Sequence, residues 1–250
     1  MVDDTPAVKA RDKTAVLRKR FYKAVGVEPV NHGFLIKLDG RPVKTPGKAD
    51  VLLVARALAD AIAAEWDVQA EKINPHAMPL TQIACTAIDK VAPNRNEICE
   101  QIARFAGADL LCYRAESPQD LVERQSKTWQ PVLDWLSAVH GITLTTSTAL
   151  IAEDQDPAAL QGAYAAADAL DDHELAAMAV LTQTMGSFTL AMAAVHGHLG
   201  WERAAAASQL DETYQSELWG ADREAEQRLR GLRDDIEAAV HYLTLHRTKN

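Results

Sequence analysis

Glu212, Gln215 and Trp219 set a carboxylate, an amide and an indole at i, i+3 and i+7. On a helix that spacing places all three on one face. The chemistry it suits is non-covalent recognition. The carboxylate accepts a charge-assisted hydrogen bond, the amide fixes register, and the indole supplies contact area. In the same stretch Leu210, Tyr214 and Leu218 recur at i, i+4 and i+8, an apolar stripe of the kind that faces a core. The plainer reading is an amphipathic helix with Trp219 tucked inward, and spacing alone favours it.

Bond-making chemistry finds less support. His196-x-His198 is the nearest approach to a metal motif, with His173 a conceivable third member. Two histidines at i, i+2 on a helix point apart, so they read as solvent-exposed residues at a helix end. Cys85, Cys99 and Cys112 form no C-x-x-C pair and read as small buried hydrophobes. The carboxylate pairs Asp171/Asp172, Asp211/Glu212 and Asp234/Asp235 are adjacent along the chain. An acid–base couple must flank a substrate, so solvated helix faces are their default. Arg114, Arg124 and Gln125 can gather around Trp129, most simply as structural ion pairing. Gly47-Lys48 lacks the rest of a phosphate loop, and G-x-G-x-x-G, G-x-S-x-G and H-E-x-x-H are absent.

Bulk properties narrow the classes further. The chain has 250 residues, 48% hydrophobic and 24% charged, and a formal net charge of -9. That balance opposes a general nucleic-acid binder, which needs a basic surface. Lys9, Arg11, Lys13, Arg18, Lys19, Arg20 and Lys23 nonetheless make the start of the chain basic. With Asp3, Asp4 and Asp12, no Ser and no apolar run, it fits neither a transit peptide nor a secretory signal and reads as a solvated arm over 1–20. Three widely spaced cysteines imply a reducing compartment. Ala176–Val195 has no charged residue, but its alanines and hydroxyls suit a buried bundle helix better than a membrane span.

The elements that must position these residues follow in order. Phe21–Val25 reads as a strand and Gly26–Gly33 as a break. Phe34–Leu38 and Arg41–Thr45 flank Asp39-Gly40, a strong hairpin signal. Pro42 belongs at an edge, and Val51–Val54 is a short strand. Arg56–Asp67 is a helix on which Leu58, Ile62 and Trp66 share a stripe, making Trp66 an anchor beneath the sheet. Asn74–Pro79 is a connector. Helices follow over Leu80–Val91 and Asn94–Ala106, then Asp109–Tyr113 fits either a strand or a helical turn. Ser117 caps, and Pro118 opens, a helix that carries Trp129 as a structural anchor and is kinked at Pro131. Ile142–Ile151 suits a strand or an extended excursion. Asp156-Pro157 starts a helix ending near Leu170, and the uncharged helix runs from Asp172 or His173 to Gly197–Gly200. Trp201–Trp219 is next, Gly220 stops it, and Asp222 caps the last helix. The expected fold is therefore α+β: a small antiparallel sheet in an N-terminal domain over 21–75, then an all-helical C-terminal domain over 76–250.

Several stretches carry a resemblance that periodicity cannot supply. They are R-F-Y-K at Arg20–Lys23, L-D-G-R-P-V-K-T-P at Leu38–Pro46, A-E-W-D at Ala64–Asp67 and M-P-L-T at Met78–Thr81. D-L-L-C-Y-R at Asp109–Arg114, L-V-E-R-Q-x-x-x-W-x-P at Leu121–Pro131 and L-D-E-T-Y-Q-S-E-L-W-G at Leu210–Gly220 follow in the same order. Over about residues 20–245 the chain resembles the ATP synthase assembly chaperones that attend the α subunit, the ATP-twelve family of mitochondria and α-proteobacteria. The resemblance implies a non-enzyme without a cofactor that holds the new α subunit until it joins β. It also implies that the family's acidic functional position, in L-x-E-x-Y-Q, falls on Glu212 or Asp211. Glu212 is preferred because it shares a face with Gln215 and Trp219. Tyr214 would add contact area while half in the core. A cytoplasmic, monomeric bacterial protein is expected, or a matrix protein in a eukaryote. Two other readings are an enzyme using the Arg114–Trp129 cluster and a generic helical adaptor.

Overall fold

The structure, a computed structural model, describes residues 17–149, 154–220 and 222–249. Most of the basic arm, with Leu150 and Ile151, lies outside the described residues. The chain forms an α+β fold: a small antiparallel sheet followed by a helical array.

Strands β1 (Val25–Val30) and β2 (Gly33–Leu38) pair from Val25↔Leu38 to Val30↔Gly33. Asp39 (φ 48°) and Gly40 (φ 79°) then turn the chain into β3 (Arg41–Pro42). Both turn residues take positive φ, as a two-residue hairpin loop requires. β4 (Leu52–Leu53) also pairs with β2. The first strand therefore starts at Val25, where a break was expected at Gly26. The Asp39 carboxylate accepts the N–H groups of Lys23 (3.1 Å) and Ala24 (2.8 Å), which keeps residues 21–24 out of the ladder. Pro29 is tolerated because β1 is an edge.

Helix α1 (Arg56–Asp67) lies against β1 and β2 with Leu58 and Ile62 fully buried. Trp66, the third member of that stripe, is half-buried at the margin of the core, edge-on to Tyr22. Arg20 reaches the Asp67 carbonyl at 2.9 Å, and residues 18–20 run antiparallel to 71–73. These last residues of the supposed arm are thus fixed to the fold. Glu65 starts α2 (Pro79–Thr86) by accepting the Leu80 and Thr81 N–H groups at 2.7 and 2.8 Å and the Thr81 hydroxyl at 2.6 Å.

Helix α3 spans Arg95–Gly107, and Leu110–Cys112 is a single 3-10 turn. Helix α4 (Gln119–His140) runs through Pro131. Its cap is Pro118, whose carbonyl takes the Leu121 and Val122 N–H groups, while no side chain caps it. Ser117 therefore does not cap as expected. Residues 142–149 form neither a helix nor a strand, and their one bridge joins Tyr113 to Ser147. Asp156 caps α5 (Pro157–Asp168) as expected.

The uncharged run is two helices rather than one, α6 (Asp172–Met185) and α7 (Phe188–Val195). Gly186 (φ 63°) ends the first and the Ser187 hydroxyl caps the second. The break wraps around Asp109. That fully buried carboxylate accepts from Leu111 N–H, Thr189 N–H and the hydroxyls of Ser187 and Thr189, all at 2.8–2.9 Å. Four donors need an interruption in the helix to converge on one acceptor pair. Trp201–Trp219 likewise divides into α8 (Trp201–Ser208) and α9 (Leu210–Trp219). Helix α10 (Arg223–His246) closes the chain. It packs on α1 and α2 as well as on α6, α7 and α8, and one buried cluster runs from Tyr22 to Leu243.

Candidate functional site

Helix α9 is short and lies between two breaks. At its start Gln209 is buried, donating to the Leu229 carbonyl at 3.0 Å and accepting from Arg233 Nε at 2.7 Å. At its end Gly220 takes φ 88°, which ends the helix without a side-chain clash. Ten residues alone make a marginal helix, so α9 depends on what it docks against.

It docks on α4. The buried Gln125 amide donates to Asp211 Oδ1 at 2.9 Å and accepts the Ala115 N–H at 2.8 Å. The Tyr214 hydroxyl donates to the Asp120 carboxylate at 2.9 and 3.0 Å, and burial followed by that bond pushes its pKa up. Arg124 pairs with Glu217 at 2.6 Å and lies over the Tyr214 ring at 5.2 Å. One helical step deeper, the fully buried Trp129 donates its indole N–H to the Ala207 carbonyl at 2.8 Å. Arg114 covers that indole at 5.4 Å and donates to the Leu111 carbonyl. The Arg114–Trp129 cluster thus joins α4 to α8 and α9, with its donors directed at protein carbonyls and carboxylates.

The docking divides the sequence-predicted residues into two groups. Asp211 and Tyr214 face α4, and Tyr214 is buried. Glu212, Gln215, Leu218 and Trp219 face solvent. Trp219 is 78% exposed and Leu218 56%, so the indole does not turn inward and Leu218 does not join the core stripe. The reason is that the Asp120, Arg124 and Gln125 clasps set the rotation of α9, overriding its weak apolar periodicity. Among the described residues the Glu212 carboxylate makes no hydrogen bond, and its one ion pair is a long contact to Arg228 at 3.8 Å. Sequence reading missed Asp120, Gln209 and Glu217 as clasp partners. Gln125 and Trp129, at i and i+4 in one motif, were the available signal.

The other candidates have structural surroundings. His196 and His198 lie around Trp135 with His140, His198 stacked on the indole at 4.6 Å. His173 sits elsewhere, its Nδ1 2.5 Å from the Tyr242 hydroxyl and its ring 5.0 Å from His246. The carboxylates Asp171 and Asp172 are engaged by His246 and Arg95 rather than merely solvated. Burial pushes the Cys85 thiol up to about 11 and the Cys112 thiol up to about 12.

The chain is similar in sequence and overall fold to known proteins. The sequence model of the ATP12 chaperone protein family matches residues 19–137. The mitochondrial protein atp12 of Schizosaccharomyces pombe is 29% identical over 219 residues, covering 83% of this chain and 75% of that protein. The crystal structure of Atp12 from Paracoccus denitrificans is 36% identical and superposes with a TM-score of 0.86 over 92% of this chain and 99% of that one. A putative chaperone from Agrobacterium tumefaciens is 41% identical, with a TM-score of 0.85 over 92% of this chain and 86% of that one. The small sheet followed by a helical array agrees with those structures, and the chain belongs to the ATP12 chaperone family, the ATP synthase assembly chaperones that its motifs resemble.

Proposed function

We propose that this protein binds the free α subunit of F-type ATP synthase and covers its subunit interface until the β subunit replaces it. The observation that carries the reading is the position of Trp219: a large apolar side chain, mostly exposed, at the end of a helix fixed by polar clasps. An exposed indole on a rigid support loses little freedom on binding, which is the character of an interface anchor. Glu212 and Gln215, on the same face, supply polar registration at its rim. The task is to cover an apolar surface that would otherwise aggregate. An interface of about 1,200–2,000 Å² suffices.

In this reading the protein is a monomeric binding protein without catalytic activity or cofactor. It acts where the α subunit is made or imported: the bacterial cytoplasm, or the mitochondrial matrix of a eukaryote. No helix of the described residues is long and apolar enough to cross a membrane.

Co-expression of the α and β subunits with and without this protein tests the reading. The expected result is more soluble α subunit in its presence, and loss of α capture by Glu212→Lys with the fold intact. Equal solubility of α without it would overturn the function, and normal capture by Glu212→Lys would overturn the site.

A further inference from the structure

The three carboxylates of α9 are engaged unequally. Asp211 is held by Gln125 and Glu217 by Arg124, both at hydrogen-bond distance. Glu212 faces Arg228 of α10 across the Gly220 break, at 3.8 Å and without a hydrogen bond. Both partners are about half exposed, with side-chain exposures of 46% and 56%. A pair of this kind is weak and readily exchanged. Helix α9 carries no basic residue, so Glu212 has no cation on its own element.

We propose that Arg228 is a placeholder for a cation of the partner, and that the site recognises a polypeptide surface pairing an arginine with an apolar side chain. The inference rests on the docking role of α9 given above and adds its chemistry. Glu212 and Trp219 are seven residues apart on one helix, which sets their Cα atoms about 10 Å apart along the axis. The matching surface carries a guanidinium over Glu212 and an aliphatic or aromatic side chain against Trp219 and Leu218, at that same separation. Arginine fits better than lysine because its planar fork engages both carboxylate oxygens. In the free protein Arg228 neutralises Glu212 without satisfying it. On docking, the partner's guanidinium takes the carboxylate and Arg228 swings to solvent. The charge is then never left bare, and the partner can be released by the reverse exchange.

Removing the competitor should strengthen binding. Affinity for purified ATP synthase α subunit is measured by biolayer interferometry for wild type, Arg228→Gln, Glu212→Gln, the double variant of these two, and Trp219→Ala. Low and high salt are compared, with circular dichroism as the folding control. Arg228→Gln is expected to bind about two- to fivefold more tightly at low salt, the range of an exposed ion pair. The gain should vanish in the Glu212→Gln background and at high salt, where exposed charges are screened. If Arg228→Gln matches wild type while Glu212→Gln weakens binding, Arg228 is a bystander: the placeholder is overturned and the docking site stands. If Glu212→Gln and Trp219→Ala both bind like wild type, the docking site itself falls. Equal tightening by Arg228→Gln with and without Glu212 would also overturn the exchange.

Discussion

Gln125 and Asp211 join α4 to α9 through a 2.9 Å amide–carboxylate hydrogen bond, made by a side chain that is almost wholly buried. Gln125 also takes the Ala115 N–H, so one amide fixes a loop and the face that α9 presents.

Gln125→Ala should therefore act beyond its own site. It strands the Ala115 N–H and the Asp211 carboxylate, a cost of about 1–3 kcal/mol. Urea unfolding should show that loss. Hydrogen exchange should speed up across residues 210–219 before the rest of the helical array. Unchanged exchange in α9 would mean that the clasp does not hold the helix.

Trp219→Ala should separate stability from binding. The side chain is 78% exposed, so the melting free energy should move by no more than about 0.5 kcal/mol. Capture of the α subunit should fall by tenfold or more, the loss expected of a central aromatic anchor. A large stability loss with normal capture would reverse the assignment.

Acid should weaken the contact between α6 and α10 in two stages. Burial, then the neighbouring His246, depresses the His173 pKa below 6.5. The unfolded chain binds that proton more readily, so the contribution is complete above pH 6.5 and is lost as pH falls below it. Burial works to raise the Asp171 carboxyl, but the His246 ring and the Glu174 N–H outweigh it and hold it down at about 2. That contribution is present above 3.8 and disappears as pH falls toward 2. Chemical unfolding at a series of pH values should show both slopes. His173→Gln should flatten the upper one and Asp171→Asn the lower.

Trp66→Arg should destabilise the region where sheet and helices meet. Trp66 packs on Tyr22 and borders a recess with Pro46, Pro75, Met78 and Cys85. A guanidinium there loses apolar contact and is partly desolvated, for a cost of about 1–3 kcal/mol. The melting temperature should drop by several degrees. An unchanged melting temperature would show that this margin of the core carries little load.

Many of the family-like motifs prove to be joints. Glu65 of A-E-W-D caps the helix begun by M-P-L-T. Asp39 of L-D-G-R-P holds the backbone beside R-F-Y-K. Asp109 of D-L-L-C-Y-R is clamped by Ser187 and Thr189, and Gln125 of L-V-E-R-Q holds Asp211 of L-D-E-T-Y-Q. The residues at each joint are far apart in the chain, so a linear pattern displays each half without naming its partner. Both misread helices follow from this. Apolar periodicity runs smoothly through Gly186-Ser187 and Gln209, and the breaks exist because Asp109, Leu229 and Arg233 claim those residues from elsewhere.

The sequence by itself determined the hairpin at Asp39-Gly40, the span of α1, the caps at Asp156 and Asp222, and the stop at Gly220. Each rests on backbone preferences acting within a few residues. Tertiary structure decided which side of α9 meets solvent. Its apolar stripe is too weak to set the rotation, and three polar clasps from α4 turned Tyr214 in and left Glu212 and Trp219 out.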